Sequence, residues 1–217
     1  MPRATGSTKL AKLCDVTKTI LSTLPPREFS AKALARYHLL FTDGAWENDQ
    51  ATARILLHNS DTNETVVREI MVSIELVELW KNEAGEQIIW QIEFFAYLAA
   101  RFEYNVEVEN HSVIAWLDNE AAGFAAGKGS ANSTSLMAHA RLVTLEARNL
   151  SVIWVERLCS FSNPSDKPSR KQCKEAARMF TAMHDERPIC LQEKVILAIK
   201  ELTTDPYGVI CLEGIFD

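Results

Sequence analysis

The stretch YHLLFTDGAWENDQATARILLHNSDTNETVVREIMV, residues 37–72, holds three runs of β-forming character: Tyr37–Asp43, Ala51–His58 and Thr65–Val72. The first ends in Thr-Asp-Gly. The second and third are separated by Asn59-Ser60-Asp61-Thr62-Asn63, a cluster whose short polar side chains favour turns. Three consecutive antiparallel strands are expected. Ile74–Trp80 reads as a short helix or irregular edge, and residues 82–86, with Gly85, as a loop.

From Ile88 the period changes. Ile92, Phe95, Ala96 and Ala99 recur at helical spacing as far as about Phe102, which predicts a helix with one apolar face. Ser112–Asp118 (SVIAWLD) has the composition of a buried strand. It is followed by a small-residue helix from Asn119 to about Ala126, a break at Gly127 and Gly129, a helix over Ser133–Ala147 and a strand over Asn149–Glu156. The order β-β-β-α-β-α-α-β predicts an α/β fold, a mixed five-stranded sheet flanked by helices. Beyond it, helices are expected over Gln172–His184 and Leu191–Leu202, and a short strand or packed tail over Tyr207–Leu212. On the N-terminal side, Leu10, Leu13, Val16, Ile20 and Leu21 are spaced as on a helix that Pro25-Pro26 stops. The chain thus divides into a helical extension (1–35), a central domain (36–182) and a second helical extension (183–217).

Of 217 residues, 47% are hydrophobic and 24% charged, an ordinary globular composition with enough chain for a sizeable core. No apolar run approaches a bilayer span, and Met1–Thr8 lacks the apolar centre of a secretory signal, so an intracellular protein, cytoplasmic or nuclear, without a membrane partner is expected. Five scattered cysteines with no Cys-x-x-Cys pair suit neither a disulfide framework nor a structural zinc site; reduced, mostly buried thiols are expected. The net charge of -6 argues against binding nucleic acid through a basic overall field. Locally, Arg157, Lys167, Arg170, Lys171, Lys174 and Arg178 face only Asp166 and Glu175, which is either a solvated surface or a binding patch.

Four acids fall at boundaries of the expected elements. Asp43 ends the first strand, Glu93 lies in the first turns of the long helix, Asp118 ends the fourth strand and Asp166 lies in the loop after the last strand. If strands one and four are neighbours, their carboxylates converge, at a cost in mutual repulsion unless cations neutralise them. Four carboxylates without His or Cys select a hard ion, Mg²⁺ or, in its place, Mn²⁺. Each acid also has a plain structural reading: a turn for Asp43, a solvated helix position for Glu93, an N-cap for Asp118 and a loop acid for Asp166.

FTDGA at 41–45, IEFFA at 92–96, WLDNEAA at 116–122 and NPSDKPSR at 163–170 together resemble the four motifs of ribonuclease H domains in reverse-transcribing elements. The last is similar to the form found in hepadnavirus-like and tyrosine-recombinase retroelement polymerases, and the resemblance covers roughly residues 36–182. It implies a ribonuclease H-like fold and a metal-dependent endonuclease that hydrolyses the RNA strand of RNA·DNA hybrids. The implied mechanism uses two ions, with Asp43 touching both, Glu93 and Asp118 completing one site and Asp166 the other. It also implies contacts to the hybrid from Gly44, Asn119, Ser169, Arg170 and Lys171, and a reverse-transcriptase domain of the same polyprotein as a further partner.

The sequence departs from the family in places. Many members carry a mobile His before the final Asp, whereas residues 157–165 here read RLCSFSNPS; His139 falls in an expected helix, as a surface or core residue. No Trp-rich basic protrusion and no Tyr-x-Asp-Asp polymerase segment occurs, so the chain is either an excised part of a polyprotein or a stand-alone descendant. Two other functions compete: a non-catalytic interaction module on the same fold, and a nuclease acting on DNA.

Overall fold

The computed structural model describes residues 37–108, 111–146, 152–159, 162–165, 181–185 and 193–205, with single positions at 11, 14, 15, 18, 22 and 178. Three antiparallel strands come first: β1 (His38–Glu47), β2 (Gln50–Asn59) and β3 (Glu64–Met71). Helices α1 (Ile74–Ala84), α2 (Ile89–Glu103) and the short α3 (Asn105–Val108) lead to β4 (Ser112–Leu117). Then follow α4 (Glu120–Lys128), α5 (Thr134–Glu146), β5 (Val152–Arg157), β6 (Met183–His184) and α6 (Glu193–Thr204). The strand order is β5-β4-β1-β2-β3-β6, with β1 and β4, β4 and β5, and β3 and β6 parallel. The expected mixed α/β sheet with flanking helices is the one observed.

It has six strands among the described residues rather than five, because Met183 and His184, expected at the end of a helix, pair with Val66 and Val67 of β3. A buried polar knot fixes them there. Arg68 of β3 reaches Glu103 at 3.1 Å and Asp185 at 3.2 Å, and the Tyr104 hydroxyl donates to Asp185 at 3.0 Å. The local pattern could not show this, since the partners come from β3, α2 and a segment about eighty residues away. The rest of the helix expected over Gln172–His184, apart from Arg178, and the tail Tyr207–Leu212 lie outside the described residues.

A second correction concerns β1, which does not end at Asp43. It runs on to Glu47, and the turn into β2 is made by Asn48 and Asp49, both at positive φ (51° and 58°). Asn and Asp tolerate the left-handed region better than other non-glycine residues, and a two-residue turn of this kind matches the twist of the strands it joins. Asp43 is therefore a mid-strand residue, directly opposite Arg54 of β2.

Alternation along the strands divides the sheet into two faces. Leu40, Ala53, Ile55, Leu57 and Ile70 meet Ile92, Phe95, Ala96 and Ala99 of α2 in the main core. The opposite face carries a smaller cluster, Leu56 and Val67 with Phe41 and Ala182 against them. Helix α2 is buried from Gln91 to Arg101 on all sides, because α5 packs on the face turned away from the sheet. Val195, Ala198, Ile199 and Leu202 of α6 join the same core. His139 is also in it, fully buried. The two described cysteines, Cys14 and Cys159, are free thiols and exposed, against the expectation of burial. No helix among the described residues is long and apolar enough to cross a membrane.

Candidate metal centre

The centre is built where β1 and β4 run side by side. Their parallel register pairs Phe41 with Trp116, whose rings stack with centroids 6.2 Å apart. Asp43 and Asp118 each stand two residues farther along, so the sheet carries both acids toward the same edge. Asp118 lies just past the end of β4 and Asp43 inside β1, buried to 5% exposure.

Glu93 arrives from α2, which crosses β1 at very short range. A Cβ on Gly44 would lie 2.8 Å from the backbone nitrogen of Glu93 and 3.0 Å from its Cγ, closer than atoms of this kind pack. Glycine at 44 thus lets the helix settle onto the strand beside Asp43, a packing reason for a residue expected from the resemblance to meet substrate. Burial of Glu93 raises its pKa, and the hydrogen bond to Asp118 together with the charges of Asp118 and Asp43 carries it to about 10. A hydrogen bond from the Asn119 side chain opposes that rise. At neutral pH, without a cation, Glu93 is therefore a protonated acid donating to the Asp118 carboxylate.

Asn119, not Asp118, caps α4: its Oδ1 accepts from the Ala122 backbone at 3.1 Å. The plain capping role considered for Asp118 is thereby filled by its neighbour. Asp118 Oδ1 is instead shut off from solvent, and among the described residues no partner other than the Glu93 carboxyl is there to satisfy it. A buried carboxylate oxygen of this kind is costly unless a proton or cation takes it up. Among the described residues the donor set fits a hard divalent ion: carboxylate oxygens, no sulfur and no imidazole. It is less compact than a second group, His38, Asp61 and His111, whose ligand atoms all lie within 4.8 Å of one another.

Two further residues had not been singled out from the sequence. Arg54, fully buried, stands opposite Asp43 and pairs with Glu69 at 2.9 Å. Asn163 donates from Nδ2 to the Thr42 carbonyl at 3.0 Å, while its Oδ1 accepts from the backbone and hydroxyl of Ser165. The Asn-Pro-Ser turn is thus pinned to the residue before Asp43. The first letter of the NPSD motif was the available signal for Asn163; for Arg54 the signal is the strand register, which no local pattern carries. Asp166, Ser169, Arg170 and Lys171 lie outside the described residues. Of the basic cluster, Arg157 is exposed with Glu120 at 3.7 Å, and Arg178 is exposed.

No protein-family model matches the chain, and no curated protein matches it. Among solved structures it is similar to the N-terminal RNase H domain of Rv2228c from Mycobacterium tuberculosis, determined as a fusion with maltose-binding protein, at 12% identity and a TM-score of 0.46, covering 66% of this chain and 97% of that one. It is also similar to RNase H1 from the halophilic archaeon Halobacterium salinarum, again at 12% identity and a TM-score of 0.46, covering 64% of this chain and 98% of that one.

Proposed function

We propose that this protein is a ribonuclease H-like endonuclease that hydrolyses the RNA strand of RNA·DNA hybrids using two divalent ions, Mg²⁺ or Mn²⁺. Asp43, Glu93, Asp118 and Asp166 would hold the ions. The observation that carries this reading is the convergence of Glu93 on Asp118 with Asp43 alongside, three acids from three separate elements, close enough that burial and its two neighbours push the Glu93 carboxyl far above its usual range. Bound ions would supply water activation and neutralise charge at the leaving 3′ oxygen of the phosphodiester.

The chain's own residues prepare that chemistry. Gly44 fixes the approach of α2, Asn119 holds Glu93 while capping α4, and Asn163 ties the residues preceding Asp166 to β1 next to Asp43. Recognition of RNA would use 2′-hydroxyl contacts, with Gly44, Asn119, Ser169, Arg170 and Lys171 as the proposed contact residues. The retroelement affinity, a reverse-transcriptase partner and an intracellular site belong to the same proposal and rest on the sequence motifs.

The test is cleavage of labelled RNA·DNA hybrid, double-stranded DNA and single-stranded RNA, with Mg²⁺ or Mn²⁺ and then with EDTA. Hybrid cleavage that stops with EDTA is expected. Cleavage of DNA alone would transfer the centre to a DNA-directed nuclease, and no cleavage of any substrate with either ion would leave an interaction module.

A further inference from the structure

A second constellation lies at the other end of β1. His38 is its first residue, five positions before Asp43, which along an extended strand is roughly 16 Å. The topology gathers three segments there. Parallel pairing sets His38 against Val113, so His111 of the preceding loop lies close by, and the antiparallel return of β2 places the β2–β3 turn, with Asp61, beside the start of β1. The rings of His38 and His111 stack with centroids 4.4 Å apart and planes 20° from parallel. His111 Nε2 is 3.1 Å from Asp61 Oδ2, and each of the three residues offers a ligand atom within 4.8 Å of the others.

We propose that His38, Asp61 and His111 form a zinc-binding site, with water in the remaining position. Two imidazoles and one carboxylate are a donor set that zinc favours and Mg²⁺ does not, and three protein ligands leave the fourth corner of a tetrahedron open. Zinc–ligand bonds of about 2.0–2.1 Å put neighbouring tetrahedral ligand atoms about 3.3 Å apart. The 3.1 Å between His111 and Asp61 is already near that spacing. Independently of this grouping, His38 is 1% exposed, and among the described residues its buried Nε2 has no partner of good hydrogen-bond geometry, the Glu107 backbone being the polar group that interacts with the ring. Its Nδ1 is 3.4 Å from the Ser60 hydroxyl. Burial and the neighbouring His111 outweigh Asp61 and the Glu107 backbone and lower the His38 pKa, which favours the neutral ring a metal needs. His111 and Asp61 are about two-fifths exposed, so an ion can enter from solvent. Bound there, zinc would clamp the β2–β3 turn to the starts of β1 and β4. The site does not depend on the nuclease reading.

The experiment titrates the full chain with Zn²⁺ against a chromophoric chelator and records the electronic spectrum of the Co²⁺ form. Wild type should bind one ion at this site and melt at a higher temperature with zinc. Asp61→Asn and His111→Ala, both at half-exposed positions, should each weaken binding by more than the 10–100-fold that loss of an outer partner of a metal site costs, and should abolish the thermal shift. Asp118→Asn should bind zinc as wild type does, which separates this site from the carboxylate centre. Intense thiolate-to-cobalt absorption would assign the ion to cysteines and overturn the proposal. So would zinc affinity unchanged in both variants, or no zinc uptake by wild type, which would leave His111 and Asp61 as an ion pair only.

Discussion

Gly44 of β1 and Glu93 of α2 meet so closely that no methyl group fits between them: an added Cβ would stand 2.8 Å from the Glu93 nitrogen and 2.9 Å from Ile92 Cγ2. Both obstacles belong to a helix buried on all sides, so neither yields freely. Gly44→Ala should therefore push α2 away from β1 at a cost of about 1–3 kcal/mol. Displacement of Glu93 from its neighbours should lower hybrid cleavage further, on the order of 100-fold for a shift near 1 Å. Urea unfolding and cleavage rates measured on the same variant check both; a stable, fully active Gly44→Ala protein would show that the contact does not set the site.

Asp118→Asn separates a metal ligand from a structural acid. Asn119 already caps α4, so the substitution should leave the helix start intact and change stability by less than about 1 kcal/mol. Cleavage should collapse, and the rise in melting temperature expected for wild type with Mg²⁺ should shrink in the variant, because an ion stabilises the native state only as far as it binds it. Melting with and without Mg²⁺, beside hybrid cleavage, is the measurement. Wild-type turnover in this variant would remove Asp118 from the centre.

Glu93 makes the stability of the metal-free protein depend on pH. Its pKa rises from 4.5 to about 10 on folding, so the native state keeps a proton that the unfolded chain gives up. The stabilisation is complete below 4.5 and is lost progressively as pH rises toward about 10. In EDTA the melting temperature of wild type should fall over this interval relative to Glu93→Gln, which has no proton to lose. Mg²⁺ should oppose the fall in wild type. Parallel pH profiles for the two proteins in EDTA would contradict the protonated Glu93–Asp118 pair.

His139 acts with the opposite sign. Its Nδ1 donates to the Ser135 carbonyl at 2.6 Å, its Nε2 has no partner among the described residues, and Trp80, Phe94 and Phe95 surround the ring. Burial lowers the pKa from 6.5 to about 4. The fold thus holds the neutral ring, and its contribution is complete above 6.5 and is lost as pH falls toward 4, about 3 kcal/mol in all. His139→Leu should flatten the acid limb of the stability profile between these values; an unchanged limb would assign acid unfolding to other groups.

The sequence alone determined the kinds of element and their order. Alternation and turn residues over 37–72 specify three strands, the spacing of Ile92, Phe95, Ala96 and Ala99 specifies the long helix, and SVIAWL specifies a buried strand, because each of these signals is complete within one or two turns of chain. The acids Asp43, Glu93 and Asp118 were legible as candidates through their motifs. Their meeting was not. It depends on β1 pairing with β4 across more than seventy residues and on the absence of a side chain at Gly44. Tertiary structure likewise decided that the Asp-Gly pair continues a strand and that Asn119 takes the cap. It also anchored Asn163 to Thr42, added Met183–His184 to the sheet and stacked His38 on His111. Register and packing bring together residues far apart in sequence, and the period of a local pattern carries no record of which distant strand or helix will supply the partner.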